Sequence, residues 1–280
     1  MRIGFLSDLH TDYNHLHHFE TIIPRLIRLK RLDVLCILGD TATGAEDSLA
    51  FYQALQRRMA IPLRILPGNH DIFVRHAAWK TVEEVQHQST EAYFKLLHHP
   101  TLSLYLNPIV TPHWLVVGIS GWYDYSFVAG DPDKLARHLV SKYIWPDQMM
   151  INRRQIDAAR DRQWVDNDLE RLTELFSRPE AQNRKRLVAM HFLPTRRLIE
   201  RKHYLLYRHF IVQLGSTRYQ QFFETHQVAV SISGHSHMPI QCDAGGVHYE
   251  NVSLGYDFQW ADASDALGEL ERILYVLEDD

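Results

Sequence analysis

The chain has 280 residues, 45% of them hydrophobic and 23% charged, and a formal net charge of −4, which is the balance of an ordinary globular protein with room for a sizeable core. The modest negative charge argues against a protein that coats nucleic acid, and the lack of any run of about 18 apolar residues argues against a membrane span. Two cysteines, one inside the apolar run 34–38, exclude a disulfide framework; with an N-terminus unlike a leader, the expected location is cytoplasmic. Eighteen histidines is a high count and a first hint of metal ligation.

In chain order, residues 2–7 form a short apolar run that stops at Ser7-Asp8-Leu9-His10. Phe19, Ile22, Ile23, Leu26 and Ile27 then recur at helical spacing, and Pro24 within them predicts a kink or a late helix start. The run 33–38 ends at Gly39-Asp40, a second helix is predicted over 46–59, and a third strand, 63–66, ends at Pro67-Gly68-Asn69-His70-Asp71. Three strand–helix units within about 100 residues predict an α/β fold with parallel strands. Such folds collect ligands outside the carboxyl ends of their strands.

Further on, 75–99 reads as helix and 113–120 as strand, followed by Gly121-Trp122-Tyr123-Asp124-Tyr125. A long charged helix is predicted over 147–176 and a strand over 186–190 that ends at His191. Residues 194–218 are locally basic: a solvated face, or a segment from which Arg196, Arg197 or Arg201 reaches an anion. A strand over 228–232 leads to Gly234-His235-Ser236-His237, a hairpin turns at Ala244-Gly245-Gly246, and a last strand covers 272–277. No repeat or linker divides the chain, so one domain over 1–280 is expected, with lid-like insertions at about 123–165 and 193–225 that set specificity.

Five strand ends therefore carry chemistry: Asp8 and His10; Asp40; Asn69 with His70 and Asp71; His191; His235 and His237. Mixed oxygen and nitrogen donors suit borderline divalent metals such as Mn, Fe, Zn or Co better than Ca or Mg. Residues at i and i+2 point the same way from a strand end. Three oxygen donors (Asp8, Asp40, Asn69) and four imidazoles (His10, His191, His235, His237) are too many for one such ion and suit two that share a carboxylate, with Asp40 the natural bridge. His15, His17, His18, His98, His99, His113, His203 and His209 fit no strand end and read as surface residues, and Trp122, Tyr123 and Tyr125 read as core or rim aromatics.

The order and spacing of these motifs resemble the calcineurin-like metallophosphoesterase superfamily, from Asp8 to His237 and into the following hairpin. The resemblance implies a four-layer αββα sandwich of two mixed β-sheets flanked by helices, with a dinuclear site at the strand ends. One ion would take Asp8, His10, Asp40 and His237, and the other Asp40, Asn69, His191 and His235, with Mn, Fe or Zn as candidates. His70 would contact the substrate phosphate and protonate the leaving oxygen, and Asp71 would orient it. One departure is Thr43, where the family often has Asp or Asn. The implied reaction is hydrolysis of a small phosphomonoester or phosphodiester, such as a nucleotide or cyclic nucleotide, by in-line attack of a metal-bridging hydroxide. Nuclease activity and a non-catalytic interaction module are the alternatives; the first would favour a basic face and the second a lost ligand.

Overall fold

A computed structural model describes residues 1–128, 130, 149–151, 157–200 and 210–279. Ten strands are formed among them: β1 (Arg2–Leu6), β2 (Val34–Ile37), β3 (Leu63–Ile65), β4 (Ile109–Val110), β5 (Trp114–Gly118), β6 (Lys185–Ala189), β7 (Val230–Ser233), β8 (Gln241–Ala244), β9 (Val247–Asn251) and β10 (Tyr275–Glu278). The helices are α1 (Phe19–Lys30), α2 (Ala45–Gln56), α3 (Val82–Leu97), α4 (Ala158–Ser177), α5 (Thr217–Thr225) and α6 (Ala266–Ile273).

The strands make two mixed sheets flanked by helices, with orders β10-β1-β2-β3 and β4-β5-β6-β7-β9-β8. β1, β2 and β3 are mutually parallel, as are β5, β6, β7 and β9, while β10, β4 and β8 close the edges antiparallel. The parallel strands read as near-continuous apolar runs because both their faces are covered; all four residues of β2 and of β7 are buried. The two sheets meet where their strands end: Ser7 bridges Ser253, and Leu254 N–H donates to Ser7 O at 3.0 Å. One continuous apolar core joins both sheets, from Phe5 and Leu35 to Val117, Val188 and Ile232.

Local signals account for the helices. α1 buries Phe19, Ile23, Leu26 and Ile27 and starts at Phe19, ahead of Pro24, so the late start does not occur. α3 opens with a capping box, in which Thr81 and Glu84 each accept the other's backbone N–H. α4 starts at Ala158 with Asp157 as its cap; of the predicted earlier stretch, residues 147, 148 and 152–156 lie outside the described residues. So do Arg201, Lys202, His203, Arg208 and His209, together with much of both expected insertions.

One element differs from expectation. The predicted strand 272–277 is split: Arg272 and Ile273 end α6, and β10 begins at Tyr275. The reason is the helical period of Ala266, Leu270 and Ile273, all buried, behind an Asp265 cap. Residues 217–225, within the second expected insertion, form α5, capped by Ser216 and buried through Tyr219 and Phe223. The hairpin over Gly245 and Gly246 forms as expected, and Cys36, Trp122, Tyr123 and Tyr125 are buried. Among the described residues no helix is long and apolar enough to cross a membrane.

Candidate metal centre

All seven expected ligands lie where β1, β2, β3, β6 and β7 stop, because parallel strands deliver their carboxyl ends to one edge. The backbone there is held in the left-handed region that L-residues avoid: Asp8 (φ 59°), His10 (43°), Asp40 (51°), His235 (71°) and His237 (53°). Five such residues at one place are a local cost that persists only where the surroundings enforce it. Glycine supplies the close approaches. A Cβ on Gly68 would strike Asp40 and lie 2.8 Å from His191 Cε1, and one on Gly234 would strike Ser7 and Asp8.

The donors converge in overlapping groups: Asp8 with His10 and His237, His10 with Asp40 and His70, and Asp40 with His191 and His235, each group within 4.8 Å. Asp40 belongs to two of them. His237 Nε2 lies 3.4 Å from Asp8 Oδ1 and 3.0 Å from His10 Nε2, while His191 Nε2 lies 3.4 Å from Asp40 Oδ1 and 3.1 Å from Asn69 Oδ1.

The tautomers of two imidazoles follow from their outer contacts. His191 Nδ1 donates to Leu38 O at 2.8 Å and His237 Nδ1 to Gln259 Oε1 at 2.9 Å, which turns both Nε2 atoms toward the carboxylates. Both ring nitrogens of His235 and Nδ1 of His10 are buried without a hydrogen-bond partner. Such groups are costly unless something else satisfies them, and a cation would. Charge follows the same lines. Burial would raise Asp8 and Asp40, but the neighbouring histidines hold both below the usual carboxylate range. Burial opposes protonation of His191, yet Asp40 pushes it up to about 9, whereas burial and then the His191 charge push His235 down to about 3. Buried carboxylates among imidazoles whose ring nitrogens face inward are a donor set that fits divalent transition ions.

His70 opens the 3-10 helix His70–Ile72, its ring centroid 4.7 Å from that of His10 and 4.3 Å from that of Phe73. Burial holds it below its ordinary value. The expected support from Asp71 takes another form. The Asp71 carboxylate accepts from Asp40 N and Gly68 N at 2.8 Å, Thr41 N at 3.0 Å and Ser48 Oγ at 2.6 Å, and not from the His70 ring, whose Nδ1 is unpartnered. Asp71 thus ties the β2 and β3 loops together, because five donors, Ala42 N at 3.4 Å the fifth, converge on its buried position. Thr43 donates its N–H to Asp12, and Arg196 is bonded to the Phe127 carbonyl. His17, expected on the surface, packs on Trp260 beside Asp257.

The turn 255–260 escaped sequence reading. It brings Gln259 to His237 and places the Tyr256 ring 4.6 Å from His10 and 4.8 Å from His237. Its dense aromatics, Tyr256, Phe258 and Trp260, were the available signal.

The family model of calcineurin-like phosphoesterases matches residues 1–239. The chain belongs to the calcineurin-like phosphoesterase family. As a member it is a hydrolase acting on phosphoric esters, and metal-dependent. Among solved structures it is similar to phosphopantetheinyl hydrolase (PptH) from Mycobacterium tuberculosis, with 19% identity, TM-score 0.72, and coverage of 92% of this chain and 90% of that one. It also matches a dimetal phosphatase from Danio rerio with 15% identity, TM-score 0.49, and coverage of 90% and 86%. The first likeness bears on the fold. No curated protein matches the chain.

Proposed function

We propose that this phosphoesterase is dinuclear and hydrolyses a small phosphomonoester or phosphodiester. Asp8, His10, Asp40 and His237 would hold one ion, and Asp40, Asn69, His191 and His235 the other, with Mn, Fe and Zn all matched to the donors. The observation that carries this reading is Asp40 shared between two groups of inward-facing donors, with His235 buried and otherwise unsatisfied. Bound there, two divalent ions supply positive charge against the phosphoryl oxygens and lower the pKa of water toward neutrality.

The chain's own residues do the rest. Asp71 fixes the loop that carries Asn69 and His70, so that the amide and the imidazole reach the site from one rigid turn. His70 carries the proton to the leaving oxygen. It is neutral in the free site, and an anionic phosphoester beside it favours the protonated form that donates. The test is a screen of Mn-loaded protein against nucleotides, cyclic nucleotides and chromogenic mono- and diesters. Turnover of at least one small ester, lost on chelation, is the expected result; activity confined to polynucleotides would replace this reading with a nuclease.

A further inference from the structure

Three aromatic rings stand beside the candidate ligands. Tyr256 is flanked by His10 and His237, Tyr13 lies 6.2 Å from His10 and 6.4 Å from His70, and Tyr13 meets Tyr256 edge to face at 5.2 Å. Phe258 stacks on Tyr256 at 5.4 Å and 15°. The two outer rings face solvent, Tyr13 58% and Phe258 79% exposed. A single exposed aromatic is ordinary, but a contiguous row at the mouth of a reaction centre marks a binding surface. Its position selects the occupant. The Tyr13 and Tyr256 rings adjoin His10, His70 and His237, where a phosphoryl group would sit, so the ester substituent is the part of a substrate they would meet. The charge around the row narrows the occupant further. Asp12 and Asp257 flank it, and among the described residues no arginine or lysine lies over any of the three rings. The acidic flanks disfavour a second phosphate or carboxylate, whereas a flat uncharged ring would find π-faces and ring edges.

We propose that Tyr13, Tyr256 and Phe258 form an aromatic slot that receives a flat, uncharged aromatic substituent of the substrate, a reading that rests on the phosphoesterase assignment above. Tyr256 and Phe258 lie beyond the family match at residues 1–239, and Tyr13 lies within it. The test is calorimetric binding of phenylphosphonate and cyclohexylphosphonate to the Mn-loaded protein, beside turnover of a chromogenic ester. The two ligands share the anionic head and have similar apolar bulk, so their ratio reads the preference for a flat ring. Phenylphosphonate should bind about fivefold more tightly, and Tyr13→Leu and Tyr256→Leu should each shrink that ratio toward one. Tyr13 is mostly exposed, so its variant keeps the fold even if Tyr256→Leu does not. A wild-type ratio near one, or a ratio unmoved by Tyr13→Leu, overturns the slot and leaves the hydrolase assignment standing. Binding with the expected ratio but no ester turnover overturns the proposed small-ester reaction and with it the slot's role toward a substrate, and binding of neither phosphonate overturns the slot.

Discussion

His70 and Asp71 are neighbours in sequence with separate tasks. His70 lies against the donor cluster; as the proposed proton donor, outside the proposed ligand set, its loss should act on rate. His70→Ala is expected to lower turnover by about a hundred- to ten-thousand-fold while metal content, read by plasma mass spectrometry, stays at the wild-type level. Asp71 acts on structure. Its carboxylate satisfies buried backbone N–H groups of Asp40, Thr41 and Gly68 and the Ser48 hydroxyl. Asp71→Ala leaves those donors without a partner, so it should cost about 3 kcal/mol of stability in urea denaturation and weaken metal binding as well. The division could not be drawn from sequence. Adjacent residues on a 3-10 turn point in different directions, and what each one meets is decided by loops some 30 residues away.

At the level of elements, the parallel strands explain why the site was legible. Each of β1, β2, β3, β6 and β7 ends in polar, ligand-capable residues, and parallel pairing brings those ends to one edge whatever lies between them. Gly68 and Gly234 let the loops approach. Gly68→Ala should therefore drive a methyl group against Asp40 and His191. The expected outcome is a metal affinity reduced at least tenfold and a fold destabilised by about 2 kcal/mol, checked by metal titration and denaturation. What stayed hidden depends on contacts across the chain. Gln259 reaches His237 only because the turn after β9 folds back over the strand ends, and no local pattern encodes that return. The helix α6 was misread for a different reason. Its eight residues run directly into β10, so the change of period from 3.6 to 2 falls within one apolar stretch.

For the whole molecule, the second sheet is braced by a buried carboxylate that makes stability depend on pH. Asp168 accepts from Ser120, Gly121 and Tyr219, but burial outweighs these bonds and pushes it up to about 6 from an ordinary 3.8. A carboxyl raised in the folded state binds its proton more tightly there than in the unfolded chain. Stability from this group is therefore full below about pH 4 and falls as pH rises through 6, by about 3 kcal/mol in all. Asp71, pushed up to about 6 by burial, adds to the same decline, so urea midpoints of the ion-free protein between pH 4 and 7 should fall less steeply in Asp168→Asn than in the wild type; parallel curves would contradict the assignment. The same breadth of structure supports the central claim, since the ligands come from both sheets and the pair of ions would join them. The measurement that tests this most directly is metal stoichiometry against ester turnover, with Mn titrated into chelator-treated protein. Two ions per chain, with turnover appearing as the second site fills and lost again on chelation, is the result the account predicts. A single ion at saturation, or full turnover in the continued presence of chelator, would contradict it.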